Sequence, residues 1–173
     1  VLLLIKIDTT RPVDVSIRAW RDFSRAGMQA VAAYWDQHLK MKHFEAGAES
    51  EYGYKPRSAK YLKRKRAGWV RKGAQRYQIP DGGTSPIVFR GDTRADMRAT
   101  HYPEAFPSRV LMRMPVRGDY IRMKPDPRTR DAPNLGEELT RVTPEENAVL
   151  AKVYQDAVTP LLVQYREPSS RQI

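Results

Sequence analysis

The chain has 173 residues, 40% of them hydrophobic, which is enough for one ordinary domain with a real core. It contains no cysteine, so a disulfide framework, cysteine-rich zinc sites and thiol catalysis are excluded. Its 31 basic and 20 acidic residues leave a net charge of +11, and that excess is local: residues 52–80 hold ten Lys/Arg and no Asp or Glu, and removing those ten leaves 21 against 20.

In chain order, the apolar run at residues 2–8 predicts a buried strand; interrupted by Lys6 and Asp8, it is too short for a signal-peptide core or a membrane span. Thr10, Arg11 and Pro12 predict a helix start, and helical spacing then continues to about Lys42. Its expected core stripe is Trp20, Phe23, Gly27, Ala30, Val31, Tyr34 and either Trp35 or His38. Residues 45–57 read as a loop. Ser58 is expected to cap a short helix through Ala67 that Gly68 ends. That helix is nearly all cations and is expected to order only on a partner. Residues 70–85 read as an exposed, mobile loop.

Pro86–Phe89 predicts a short strand, and Asp92–Ala99 a brief helix. Ser108–Val116 alternates, with Val110, Met112, Met114 and Val116 on one face, and Tyr120–Lys124 is its expected hairpin partner. A Pro-rich connection over 125–142 leads to Thr143-Pro144-Glu145-Glu146, an N-cap, a first-turn proline and a capping-box Glu. The helix that follows is expected to bury Val149, Leu150, Val153, Ala157, Leu161 and Tyr165 and to kink at Pro160, with a flexible tail over 168–173. The expected fold class is α+β: a single domain over 1–173, with a small antiparallel sheet packed by a long N-terminal helix and a C-terminal helix, and an extended basic arm at 45–85.

The residues give enzyme chemistry little to work with. His38 and His43 are five apart, unlike a zinc-binding pair at i and i+4, and His101 falls in an expected loop. No Gly-rich phosphate loop and no nucleophile elbow is present. The two Arg-Gly-Asp tripeptides, at 90–92 and 117–119, are turn chemistry. The expectation is a protein without catalytic residues, cofactor or metal. The candidate contacts with a partner or with DNA are Tyr54, Arg57, Tyr61, Lys63, Arg64, Lys65, Arg66, Trp69, Arg71 and Lys72. The run Lys63–Arg66 reads as solvated charge. Interleaved tyrosines favour packing on a partner protein over base stacking, since duplex bases are already stacked.

The segment from Tyr54 to Lys65, with its Arg57-Ser58-x-x-Tyr61-x-x-x-Lys65 spacing, is followed by Pro86-Ile-Val-Phe-Arg-Gly91-Asp-Thr-Arg94. This pair of motifs resembles the virion morphogenesis or tail-completion proteins of tailed bacteriophages, and the order of elements over roughly residues 12–166 is similar too. The opening strand and the charge at 63–66 lie outside that pattern. The resemblance implies a structural subunit at the head–tail junction (neck, tail-completion or tail-terminator), assembled in the host cytoplasm and carried in the virion. It implies a homo-oligomeric ring, often of six copies, contacting other neck, connector or tail-tube proteins; independently, a ring around a DNA channel would allow the cations non-specific contact with the duplex, and no membrane contact is expected. The alternative is a nucleic-acid-binding protein acting through the arm at 52–80.

Overall fold

The computed structural model describes residues 2–7, 10–12, 14–57, 59–72, 75–78, 92–98, 103–113 and 135–166. The chain divides into two compact units, each assembled from separated stretches of sequence. One comprises Leu2–Gln37, His101–Arg113 and Pro144–Ile173; the other comprises His38–Thr100 and Met114–Thr143, together with Val1.

The first unit is the α+β body. Strand β1 (Leu2–Lys6) pairs antiparallel with β5 (Arg109–Arg113), and β5 pairs antiparallel with β4 (Glu104–Phe106), giving the order β1-β5-β4. The central strand β5 obeys its predicted alternation: Val110 and Met112 are fully buried and Arg109 is exposed, its guanidinium 4.9 Å from the Phe106 ring centroid. The Tyr120–Lys124 hairpin partner lies outside the described residues, as do Pro86–Phe89, Met114, Val116, His101 and the 168–173 tail.

Helix α1 (Ile17–Tyr34) packs against β4 and β5 and along the C-terminal helix. It begins later than the Thr10–Pro12 signal predicts. Val15 donates to the Pro12 carbonyl at 3.2 Å, closing a turn, and Ser16 becomes the N-cap, its hydroxyl accepting from Ala19 N–H at 3.2 Å. Its buried face is Ser24, Gly27, Met28, Val31 and Ala32, continued by Trp35; the expected Trp20, Phe23, Ala30 and Tyr34 are only half-buried. Past Tyr34 the chain remains helical but changes winding, to a π turn at Trp35–Leu39 and a 3₁₀ turn at Lys40–Phe44.

The C-terminal helix runs Pro144–Arg166, continuous across Pro160, with Pro144 as its first residue and Glu145 and Glu146 in its first turn. Its buried face is Glu146, Leu150, Tyr154 and Val158. Leu150 is buried as expected, but the rest of the face lies one position round from the expected stripe: Val149 and Tyr165 are exposed, and Val153, Ala157 and Leu161 are half-buried. The rotation follows from Tyr154, whose ring lies over Gly27 and whose hydroxyl donates to Ser24 Oγ at 2.9 Å. A ring that large fits beside α1 only where α1 has no Cβ.

In the second unit, the 3₁₀ turn carries buried His43 and Phe44 and packs against α2 (Ala48–Glu51) and α4 (Asp92–Arg98), where Met97 is fully buried. Helix α3 (Ala59–Arg66) ends at Gly68, whose φ of +68° supplies the left-handed turn expected there. Strands β2 (Trp69–Lys72) and β3 (Gln75–Gln78) form an antiparallel ribbon within the stretch expected as a loop. Gly73, Pro80, Gly82 and Gly83 suggested one long loop, whereas Trp69–Lys72 and Gln75–Gln78 pair as strands within it. Within the Pro-rich connection, α5 (Leu135–Glu138) contributes buried Glu138 and is followed by buried Leu139.

Candidate partner-binding face of the basic arm

The arm is fastened at its root before any partner is considered. Residues 45–57, expected as a loop, hold α2 and two buried tyrosines, Tyr52 and Tyr54. Both rings stack on His43, with centroids 4.0 and 6.2 Å from the imidazole and interplanar angles of 22° and 15°. Tyr54 Oη lies 2.6 Å from His43 Nδ1, a buried hydrogen bond between phenol and imidazole. Burial depresses the His43 pKa to about 4, while a hydrogen bond with the Glu138 backbone pulls the other way.

Two groups from the 135–143 stretch then clasp the arm root. Glu138 Oε1 accepts from the backbone N–H of Lys55 at 3.2 Å and from Arg57 Nη1 at 3.0 Å, and Arg57 Nη2 bonds Oε2. This is a two-pronged guanidinium–carboxylate pair with both side chains buried. Arg141 Nη1 donates to the Tyr52 carbonyl at 2.9 Å and also to the Gly53 carbonyl, where Gly53 holds a φ of +58°. Cationic and polar as residues 52–57 are, the side chains of Tyr52, Tyr54 and Arg57 and the backbone of Tyr52, Gly53 and Lys55 are engaged by the protein itself.

Helix α3 then divides the cations by face. Tyr61 and Lys65, one turn apart, point inward; Lys65 is 3% exposed and its Nζ sits 5.8 Å from the Tyr61 ring centroid. Burial pushes the Tyr61 phenol up, against the Arg57 cation and with the Glu138 and Glu49 carboxylates. Lys60, Lys63 and Arg66 are exposed on the other side of the helix, with Leu62.

The ten candidate contacts therefore fall into three groups. Tyr54, Arg57 and Lys65 are inside and Tyr61 is half inside, so the reading of Lys65 as solvated charge is corrected: its four-carbon stem fills space beside Tyr61. Lys63 and Arg66 are outside and available. Arg64 sits in α3, and Trp69, Arg71 and Lys72 sit in β2 opposite Gln78, Arg76 and Gln75; the side chains of all four lie outside the described residues.

Sequence reading missed His43, Glu138 and Arg141. Glu138 meets Arg57 across a separation of 81 residues, and nothing local distinguishes it from Glu137. The one usable signal was indirect, since a segment with ten cations and no acid must find any buried counter-charge elsewhere.

Among the described residues, no cluster of His, Asp and Glu has the makings of a metal site, and no helix is long and apolar enough to cross a membrane. Comparison with protein-family models, with curated proteins and with solved structures found no match.

Proposed function

We propose that this chain is a structural subunit of the head–tail junction of a tailed bacteriophage, acting without catalysis as one member of a ring, of six copies by the resemblance, that joins or caps the tail. The observation that carries the reading is where the motif residues lie. Arg57, Tyr61 and Lys65, the members of the Arg-Ser-x-x-Tyr-x-x-x-Lys pattern with long side chains, are the ones turned toward the protein. A motif shared for the sake of architecture is expected to lie inward, fastening the arm, while the outward positions adapt to each virus's own neighbours. Ring assembly uses contacts in which one subunit's projection rests on a different surface of the next, and an arm held by a buried ion pair is a projection of fixed geometry.

A second reading, a free nucleic-acid-binding protein, is supported by the outward cations Lys60, Lys63 and Arg66. Gold-labelled antibody on intact particles from the source lysate separates the two. Label concentrated where head meets tail supports the junction subunit. Label absent from particles, with the protein recovered free or on nucleic acid, removes that reading in favour of the second.

A further inference from the structure

We infer that the outward face of α3 is a phosphate-backbone contact, in which Lys60, Lys63 and Arg66 hold duplex DNA without reading its sequence. The inference deepens the junction reading by naming what the arm meets.

Spacing is the first argument. Positions i, i+3 and i+6 of a helix fall within a sector of about 120° and span about 9 Å along the axis. Each strand of a duplex advances about 3.4 Å per phosphate, so the three cations lie along roughly three phosphates. All three side chains are exposed, and none pairs with an acidic side chain among the described residues. With no acid anywhere in 52–80, the face repels itself along its length, a cost that an external polyanion relieves.

The second argument is what the face lacks. A protein partner is gripped by desolvated aromatic anchors. The arm's tyrosines were the reason to expect one, yet Tyr52 and Tyr54 are buried and Tyr61 is half-buried beside Lys65. Among the described residues of the arm, Leu62, 38% exposed, is the large apolar side chain left on that side. A helix face whose described residues are cations without aromatic anchors matches a phosphate backbone, which positions a protein by charge alone. The clasp of Glu138 and Arg141 on residues 52–57 adds preorganisation, so little ordering opposes the contact.

The test uses the full chain and a fluorescently labelled duplex of mixed sequence, with affinity read by anisotropy over a series of salt concentrations. A variant carrying Lys60→Gln, Lys63→Gln and Arg66→Gln, its fold checked by circular dichroism, is expected to show a log–log salt slope shallower by about 2.7, the value for three phosphates. The loss should be equal on unrelated sequences. A charge-matched control, Arg18→Gln, Arg21→Gln and Arg25→Gln on exposed positions of α1, is expected to keep the full slope. An unchanged slope in the α3 variant, an equal loss in the α1 control, or no duplex binding at low salt overturns the inference. So does loss of binding to an acidic neighbouring protein in the α3 variant while its duplex binding stays intact. Particle labelling is unaffected by any of these results, so the junction reading and the DNA contact fail separately.

Discussion

Arg57 and Glu138 form a buried, two-pronged ion pair across 81 residues of chain, their side chains only 7% and 2% exposed. Removing either partner strands a charge in the interior. Glu138→Leu and Arg57→Met are each expected to cost about 3–5 kcal/mol, while the two together should cost much less than the single changes summed. Urea unfolding of the two single variants and the double variant measures this. Additive losses would show that the pair is not coupled.

His43 gives the fold an acid-sensitive component. Its pKa is lowered by burial to about 4 from an ordinary value of 6.5, so between those values the unfolded chain takes up a proton that the folded chain refuses. Stability therefore falls as pH drops through that window, by about 3 kcal/mol in all, and is flat with respect to His43 above it. His43→Phe retains a ring for Tyr52 and Tyr54 to stack on, and should flatten the stability profile between pH 6.5 and 4. An equally steep profile in that variant would assign the acid sensitivity elsewhere.

Gly27→Ala should destabilise the protein although it replaces glycine inside a helix. Propensity alone favours alanine by about 1 kcal/mol. A Cβ at position 27, however, would come within 2.7 Å of the Tyr154 ring and of Val158 Cγ2, closer than carbon atoms tolerate. The net cost is expected to be about 1–3 kcal/mol, read as a lower Tm, and combining the change with Tyr154→Leu should recover part of it. A raised Tm in the single variant would show that the two helices separate freely.

Lys65 and its neighbours should behave differently under the same substitution. Lys65→Ala removes a buried stem and a cation beside the Tyr61 ring, and is expected to cost about 1–2 kcal/mol. Lys63→Ala and Arg66→Ala, at exposed positions, should each stay within about 0.5 kcal/mol of the parent. Thermal unfolding of the three single variants checks the order. Equal effects at all three would contradict the division of α3 into two faces.

What could be read from the chain divides by the range of the interaction. The strand at Leu2–Lys6, the alternation at Val110 and Met112, the short helices at 59–66 and 92–98 and the proline-led start at Pro144 all follow from residues within a few positions of one another. The start of α1 was misplaced because two signals compete: Pro12 closes a turn and leaves Ser16 to cap the helix. The face of the C-terminal helix was misplaced because β-branched valines look like core, whereas a glycine on α1 made room for Tyr154 instead. The arm root was illegible for a stronger reason. Its stability comes from Glu138 and Arg141, and no pattern around Tyr54 or Arg57 points to positions more than eighty residues away.

The interleaving of the two units has a consequence for biosynthesis. Strand β1 and helix α1 are made before their partners, β5 and the helix that begins at Pro144. The arm root likewise waits for Glu138 and Arg141. The nascent chain must therefore carry an unpaired strand edge and an apolar helix face until those partners are made, the condition under which chains aggregate or recruit chaperones. The unit that holds β1 and α1 cannot close before the Pro144–Arg166 helix is made, so a product truncated ahead of that helix would leave the apolar face of α1 uncovered.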